Sequence, residues 1–199
     1  SVTDVARAID RLDAKFLASS MVRVAPNYSL LPAPEDPEAT LDITPDQIER
    51  ILDVAAASYD FVIVDVERML DAVAVKALDK ADVIFPVMEM MVPFIRDAKR
   101  LLRTFHALGY SEQKIRVIVN RYEKRGEVRL ADLEKTLGVK TFRTIPNSFS
   151  DVAESINFGV SILKAHPRSS VSRALQDLAA DLAEQHELTD SGWVQRLER

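Results

Sequence analysis

The chain alternates between short apolar runs and longer segments whose apolar residues recur at helical spacing. The run at 59–65 (Tyr-Asp-Phe-Val-Ile-Val-Asp) combines β-branched and aromatic residues, with almost no polar break before its final carboxylate. Such a run predicts a strand buried on both faces, as in a parallel sheet covered by helices. Shorter runs predict further strands at 28–31, 83–87, 115–119 and 142–145.

Helical segments separate these strands, and several carry end signals. Thr44 and Gln47 form a capping box, with Pro45 at the first helical position. Glycine follows three of the segments as a stop signal. The predicted helices cover 1–20 (one or two helices), a segment from 45, 68–80, 93–108, 127–137, 150–158 and a long segment capped by Ser170. Prolines and acidic residues at 32–42 predict an exposed loop.

The alternation of strands and helices is typical of βαβ units. We therefore expect an α/β fold in three layers, with a predominantly parallel sheet flanked by helices. The chain shows neither an internal repeat nor a linker that would divide it, so residues 1–199 are expected to form one domain. The last residues, 188–199, are expected to be a flexible tail.

Composition narrows the class of function. The 199 residues are 47% hydrophobic and 29% charged, which is ordinary for a globular protein. The net charge of −5 disfavours broad nucleic-acid binding, because that activity needs a basic field. Cysteine is absent and the three histidines are far apart, so thiol and histidine metal clusters are not expected. No apolar run is long enough for a transmembrane segment, and we expect a cytoplasmic setting.

Polar residues follow three of the predicted strands: Asp65, Asn120 and the turn of Pro146 and Asn147. In parallel sheets, ligands bind beyond the carboxyl ends of the strands. An apolar strand that ends in Asp is typical of a Walker B element, whose carboxylate holds magnesium and its water. An equally good interpretation is that Asp65 only caps the next helix. Asn120 can present its amide to a purine edge, or it caps the following turn.

In order and spacing, these segments resemble the MinD/ParA family of deviant-Walker P-loop ATPases. Within that family the resemblance is to the CpaE/TadZ branch, which helps to assemble Flp-type (tight-adherence) pili. The likeness covers almost the whole chain. It rests on Arg11-Leu12-Asp13 with Phe16-Leu17, Leu31-Pro32-Ala33-Pro34, residues 59–65, Ala81-Asp82, Arg96-Asp97-Ala98, residues 117–121 and Ile145-Pro146-Asn147.

The resemblance implies a role for each matched residue. Asp65 matches the Walker B aspartate, which would hold magnesium through its outer shell. Asn120 matches the residue that reads adenine, with Arg121 as its neighbour, and Pro146 and Asn147 match a loop packed against the base. The implied cofactor is ATP or ADP with magnesium. The implied partners are a second copy in a homodimer and the pilus secretion machinery, and the implied location is a cell pole or the inner face of the membrane.

Two departures from the family pattern bear on catalysis. No glycine in the chain is followed by lysine, so the Walker A loop that cradles phosphates is missing and the chain is expected to begin after it. The receiver-like domain that often precedes that loop is missing too. The segment after Asp65 lacks the family's proline and glycine, and Glu67 would add negative charge near a γ-phosphate. We therefore expect no ATP hydrolysis by the chain as given.

The expected function is that of a CpaE/TadZ-like localisation and scaffold factor for the pilus machinery. Two alternatives stay open: a non-catalytic α/β interaction module that binds no nucleotide, and, more distantly, a ParA-like DNA-partitioning ATPase. Because the family's Walker A strand lies inside the sheet, its absence is expected to expose the edges of the strands at 59–65 and 115–119, or to make the sheet re-pair.

Overall fold

The computed structural model describes residues 1–35, 38, 43–67 and 70–197, and of 185–197 it describes the backbone alone. The chain divides into two compact units, Ser1–Asp82 and Val83–Arg199. Part of the predicted acidic loop at 32–42 and the first two residues of the predicted helix at 68–80 lie outside the described residues.

The first unit is mainly helical. Its elements are α1 (Val2–Arg7), a 3-10 turn (Ile9–Arg11), α2 (Ala14–Ser20), β1 (Val22–Ala25), β2 (Tyr28–Leu30), α3 (Pro45–Ala56) and α4 (Ala72–Lys80). Val5 and Leu17 are almost completely buried, and they pack with Ile51 and Ala55 of α3 in one core. β1, which the sequence did not predict, pairs with β2 in an antiparallel hairpin.

Helix α3 begins as its sequence predicts. The Gln47 amide donates to Thr44 Oγ1 at 3.3 Å, and the Thr44 amide donates to Gln47 Oε1 at 2.8 Å. Gln47 also donates from Nε2 to the Ala6 carbonyl at 3.0 Å, which ties α3 to α1. One residue therefore caps the helix and fixes its position in the core.

The prediction of a strand at 59–65 is wrong. These residues belong to neither sheet, and from Phe61 to Asp65 the side chains are exposed, with Ile63 91% accessible. The reason is that an apolar run becomes a buried strand only when neighbouring strands and covering helices are present. Tyr59 is the exception, since it packs on the core and its hydroxyl approaches Met21 Sδ at 3.2 Å.

The second unit contains the parallel sheet. Its elements are β3 (Val87–Met88), α5 (Val92–Ala107), β4 (Val117–Tyr122), α6 (Leu130–Leu137), β5 (Thr141–Pro146), α7 (Phe149–Asn157), α8 (Ile162–Ala165) and α9 (Ser170–Leu197). The strand order is β3-β4-β5 and both pairings are parallel. The expected α/β fold, with a parallel sheet flanked by helices, is confirmed, and this sheet has three strands.

Strand β4 lies in the middle of the sheet, which corrects the expectation that residues 115–119 would have an exposed edge. β3 and β5 pair with β4 on both sides, and its side chains Val117 and Val119 are 2% and 0% accessible. The predicted strand at 83–87 is interrupted: Ile84 bridges to Ile115, and regular pairing resumes only at Val87. Pro86 separates the two segments, since it has no amide hydrogen for the ladder.

The ends of the later helices follow the sequence closely. Gly138 has a φ of 77° at the end of α6, a left-handed conformation that favours glycine. The cap of α9 lies one residue earlier than predicted: Ser169 Oγ, not Ser170, accepts from the Ser172 amide at 3.0 Å. The backbone of α9 is helical as far as Leu197, and the flexibility of 188–199 stays a prediction. Among the described residues, every helix is too short or too polar to cross a membrane.

Candidate functional site

The candidate site lies where β4 and β5 end. Because the two strands are parallel neighbours, their carboxyl ends meet at one edge of the sheet. The structure brings four of the predicted site residues to that edge: Asn120 and Arg121 in the last half of β4, and Pro146 and Asn147 at the end of β5.

An irregularity in β4 shapes this edge. The pairing with β5 shifts register between Val119 and Tyr122, so Asn120 and Arg121 lie in a bulge. Arg121 has a φ of 49°, which is uncommon for a residue with a side chain. Its guanidinium Nη1 lies 3.4 Å from Glu89 Oε1, just after β3. The ion pair is half exposed, and it links the ends of the two strands.

Asn147 is held by the end of β4 through two hydrogen bonds. Its amide nitrogen donates to the Tyr122 carbonyl at 3.1 Å, and its side-chain Nδ2 donates to Glu123 Oε1 at 2.7 Å. Both bonds join the turn after β5 to the neighbouring strand. The Asn147 side chain therefore has a defined position at the edge, although it is exposed to solvent.

Asn120 differs from Asn147 in its bonding. Its side chain is half-buried, and it makes no hydrogen bond to any other described residue. The amide keeps both its donor and its acceptor available for a ligand. Asn120 directly follows Val119, which is fully buried, so its polar side chain marks the point where the buried part of β4 ends.

Asp65 lies in the first compact unit. Its carboxylate is exposed, and within the described part of the chain it makes no hydrogen bond or ion pair. Glu67 is exposed two residues later. A carboxylate with this exposure can bind a hydrated cation through water, as an outer-shell ligand does.

The residues present fit only part of a magnesium nucleotide. The edge at Asn120 and Asn147 carries two side-chain amides, groups that can hydrogen-bond a ligand. No glycine–lysine pair exists to cradle the phosphates. Among the side chains described, those of residues 1–35, 38, 43–67 and 70–184, no three acidic or histidine groups are close enough to hold a metal ion. Asp65 by itself would therefore leave most ligand positions of a magnesium ion to water.

Sequence reasoning missed two acidic residues that hold the site. Glu89 pairs with Arg121, and Glu123 accepts from Asn147. Both immediately follow strands of the sheet, but only Glu89 also follows an apolar run, so it alone had a local signal in the sequence. In the sequence, each residue looks like an ordinary carboxylate of an exposed loop, so neither was recognised as part of the site.

Comparisons with known proteins show what this chain is similar to. No family model matches the chain. The septum site-determining protein MinD of Thermotoga maritima is 27% identical over 158 residues, which is 77% of this chain and 57% of that protein. A ParA family ATPase from Chlorobium tepidum TLS superposes with a TM-score of 0.85 at 29% identity, covering 89% of this chain and 74% of that structure.

A third protein shares the fold. The septum site-determining protein MinD of Pyrococcus horikoshii OT3, solved in complex with Mg-ADP, superposes with a TM-score of 0.69 at 19% identity, covering 89% of this chain and 76% of that one. The chain thus spans little more than half the length of the curated relative that it matches. These similarities support homology with the P-loop ATPases of the MinD/ParA family.

Proposed function

We propose that this chain is part of a CpaE/TadZ-like protein that localises and scaffolds the Flp-type pilus secretion machinery. The observation that carries the proposal is the edge formed by Asn120 and Asn147, on a fold homologous to MinD/ParA ATPases. Two amides at neighbouring strand ends suit a purine base, and this edge is where parallel sheets bind ligands.

The proposed roles follow from the chemistry of each residue. Asn120 hydrogen-bonds the adenine edge, and Pro146 and Asn147 pack against the base. Arg121, beside Asn120, shapes the bulge that positions it. Asp65 would hold a nucleotide-bound magnesium through water, and the ion would supply charge neutralisation of the phosphates.

The proposed role is scaffolding and not turnover. Phosphoryl transfer depends on positioning and on charge neutralisation, and the chain has no glycine–lysine pair to provide them. Glu67 brings a negative charge two residues from Asp65. We expect no phosphate release above background, and turnover that disappears in Asp65→Ala would contradict this.

The proposed partners are a second copy of the chain and the proteins of the pilus machinery. The proposed location is the cytoplasm, at a cell pole or at the inner face of the membrane. Exposed apolar side chains support self-association: Phe149, Ile156 and Phe158 are each more than 70% accessible. The branch resemblance implies that the dimer forms around nucleotide.

A cell-based experiment tests this function. The protein, fused to a fluorescent protein in its native host, is expected to form a focus at one pole, and deletion of its gene is expected to remove assembled pili. Asn120→Ala should disperse the focus, because the base contact is lost. Gln113→Ala, a matched amide removal before β4, should leave the focus intact.

Other outcomes favour the alternatives. Normal pili in the deletion strain would contradict the pilus role, and plasmid or chromosome loss there would favour the partitioning ATPase. Pili lost on deletion, with a focus that Asn120→Ala does not change, would favour the non-catalytic module. One structural feature already favours that module: the segment that ends at Asp65 belongs to no sheet of the described residues, and Asp65 is exposed.

A further inference from the structure

We propose that the solvent-exposed side of helix α5 docks the protein on an anionic lipid membrane. This side carries Arg96, Arg100 and Arg103, which together are called the arginine face. Val92 lies one turn before Arg96 and enters the headgroup layer of the membrane. The inference rests on the proposed location at the inner face of the membrane, and it names the protein surface and the lipid charge that hold the protein there.

The arginine face follows from the helical spacing of α5. Its three arginines are four and three residues apart, so they form one row about 10 Å long on the helix. All three are exposed to solvent. The buried residues of α5 lie on its opposite side: Ala98, Leu102 and Phe105. Because burial fixes that side in the core, the arginine row has to point away from the fold.

Neighbouring residues do not neutralise the arginine face. Among the described residues, its three guanidinium groups make no ion pair and no side-chain hydrogen bond. Asp97 is the only carboxylate in the sequence of α5, and it is half-buried on the flank of the helix. Helix α6, which packs against α5, exposes one charge of each sign, Asp132 and Lys135. The positive charge of the row is therefore available to an anionic partner.

An exposed apolar end favours a lipid surface over other anionic partners. Val92 continues the arginine row one turn earlier and is 63% accessible, and Met91 beside it is 54% accessible. Surfaces that bind membranes combine basic residues, which attract anionic headgroups, with apolar side chains that enter the interface. A nucleic-acid backbone would pair with the arginines but would leave Val92 and Met91 in water.

The acidic character of the whole chain does not cancel this attraction. The net charge is −5, but at physiological salt the effect of exposed charges fades beyond about 8 Å. The charges next to the membrane therefore decide the interaction. Each arginine close to an anionic surface strengthens binding about fivefold, so the row of three contributes about 100-fold.

Flotation with lipid vesicles tests this inference, because aggregated protein sinks while membrane-bound protein floats. At about 0.1 M salt the full chain is expected to float with vesicles of phosphatidylglycerol and phosphatidylcholine, and not with phosphatidylcholine alone. Replacing Arg96, Arg100 and Arg103 together by glutamine should weaken binding about 100-fold. Val92→Asn should weaken it about tenfold, because the gain from burying the valine side chain is lost.

The control removes the same charge from another part of the second unit. Lys164, Arg168 and Arg173 are exposed around α8 and the start of α9, and replacing them together by glutamine should leave flotation unchanged. An equal loss in this control would overturn the inference. Binding of duplex DNA or polyglutamate as tight as that of anionic vesicles, and lost with the arginine face, would overturn the assignment to lipid.

The result in cells separates this inference from the proposed function. A wild-type chain that does not float with anionic vesicles, but still forms a focus at one pole, would overturn the inference and leave the scaffold role intact. Absence of both flotation and the focus would overturn the two together.

Discussion

At the scale of single residues, one ion pair joins β5 to the last helix. Arg143 donates to both carboxylate oxygens of Asp181, from Nε at 2.6 Å and from Nη2 at 2.7 Å. A planar guanidinium matches a carboxylate in this two-bond geometry. The hydrogen bond from Arg143 lowers the pKa of Asp181 below its ordinary value of 3.8.

This lowered pKa predicts a pH dependence of stability. A carboxyl whose pKa is lower in the folded state stabilises the fold above its unfolded pKa, and that contribution is lost as the pH falls through the folded value. Asp181→Asn should therefore be less stable than the wild type at pH 7, and the difference should shrink below about pH 4. Urea unfolding at several pH values measures this. An equal difference at pH 7 and pH 3, or the same loss in the control Asp177→Asn one turn earlier, would contradict it.

Some of the residues at the site could be predicted from the sequence, and others could not. Asn120, Arg121, Pro146 and Asn147 were found because each follows an apolar run, and the parallel pairing does bring them to one edge. Glu123 and the Arg143–Asp181 pair were not found. Their partners are 24 and 38 residues away, and no local pattern specifies which distant carboxylate a side chain meets.

At the scale of elements, capping residues and glycines in the sequence predicted where several helices begin or end. Thr44 and Gln47 start α3, and the left-handed Gly138 ends α6, as their sequence predicts. The segment at 59–65 failed because strand formation depends on neighbours and not on local propensity. Its β-branched residues are the same ones that a buried strand would contain, yet Ile63 is 91% accessible.

The capping box of α3 gives a prediction at this scale. Thr44→Ala removes the side-chain acceptor for the Gln47 amide, so it should lower the free energy of unfolding by about 1 kcal/mol. Thr44→Ser keeps the hydroxyl and should cost only a small part of that. Chemical denaturation of the three proteins measures the differences. Equal losses for alanine and serine would mean that the methyl group, and not the cap, stabilises the helix.

At the scale of the whole molecule, exposed apolar surface predicts self-association. The side chains of Phe61, Val62, Ile63 and Val64 are 40–91% accessible, and extended apolar segments outside a sheet tend to pair with other chains. We expect sedimentation velocity to show dimers or larger species. Ile63→Lys should shift the distribution toward monomer, because charge opposes such pairing. A wild-type chain that stays monomeric at every concentration would contradict this account.

The central claim is that the edge formed by Asn120 and Asn147 receives an adenine base. The most direct measurement is a titration of the ¹⁵N-labelled chain with ADP, followed through the side-chain amide signals. We predict that the signals of Asn120 and Asn147 shift with one common affinity, while the signal of Gln113, before β4, does not shift. Asn120→Ala should weaken the binding of ADP. Unchanged Asn120 and Asn147 signals at millimolar ADP, or equal shifts at Gln113, would contradict the claim.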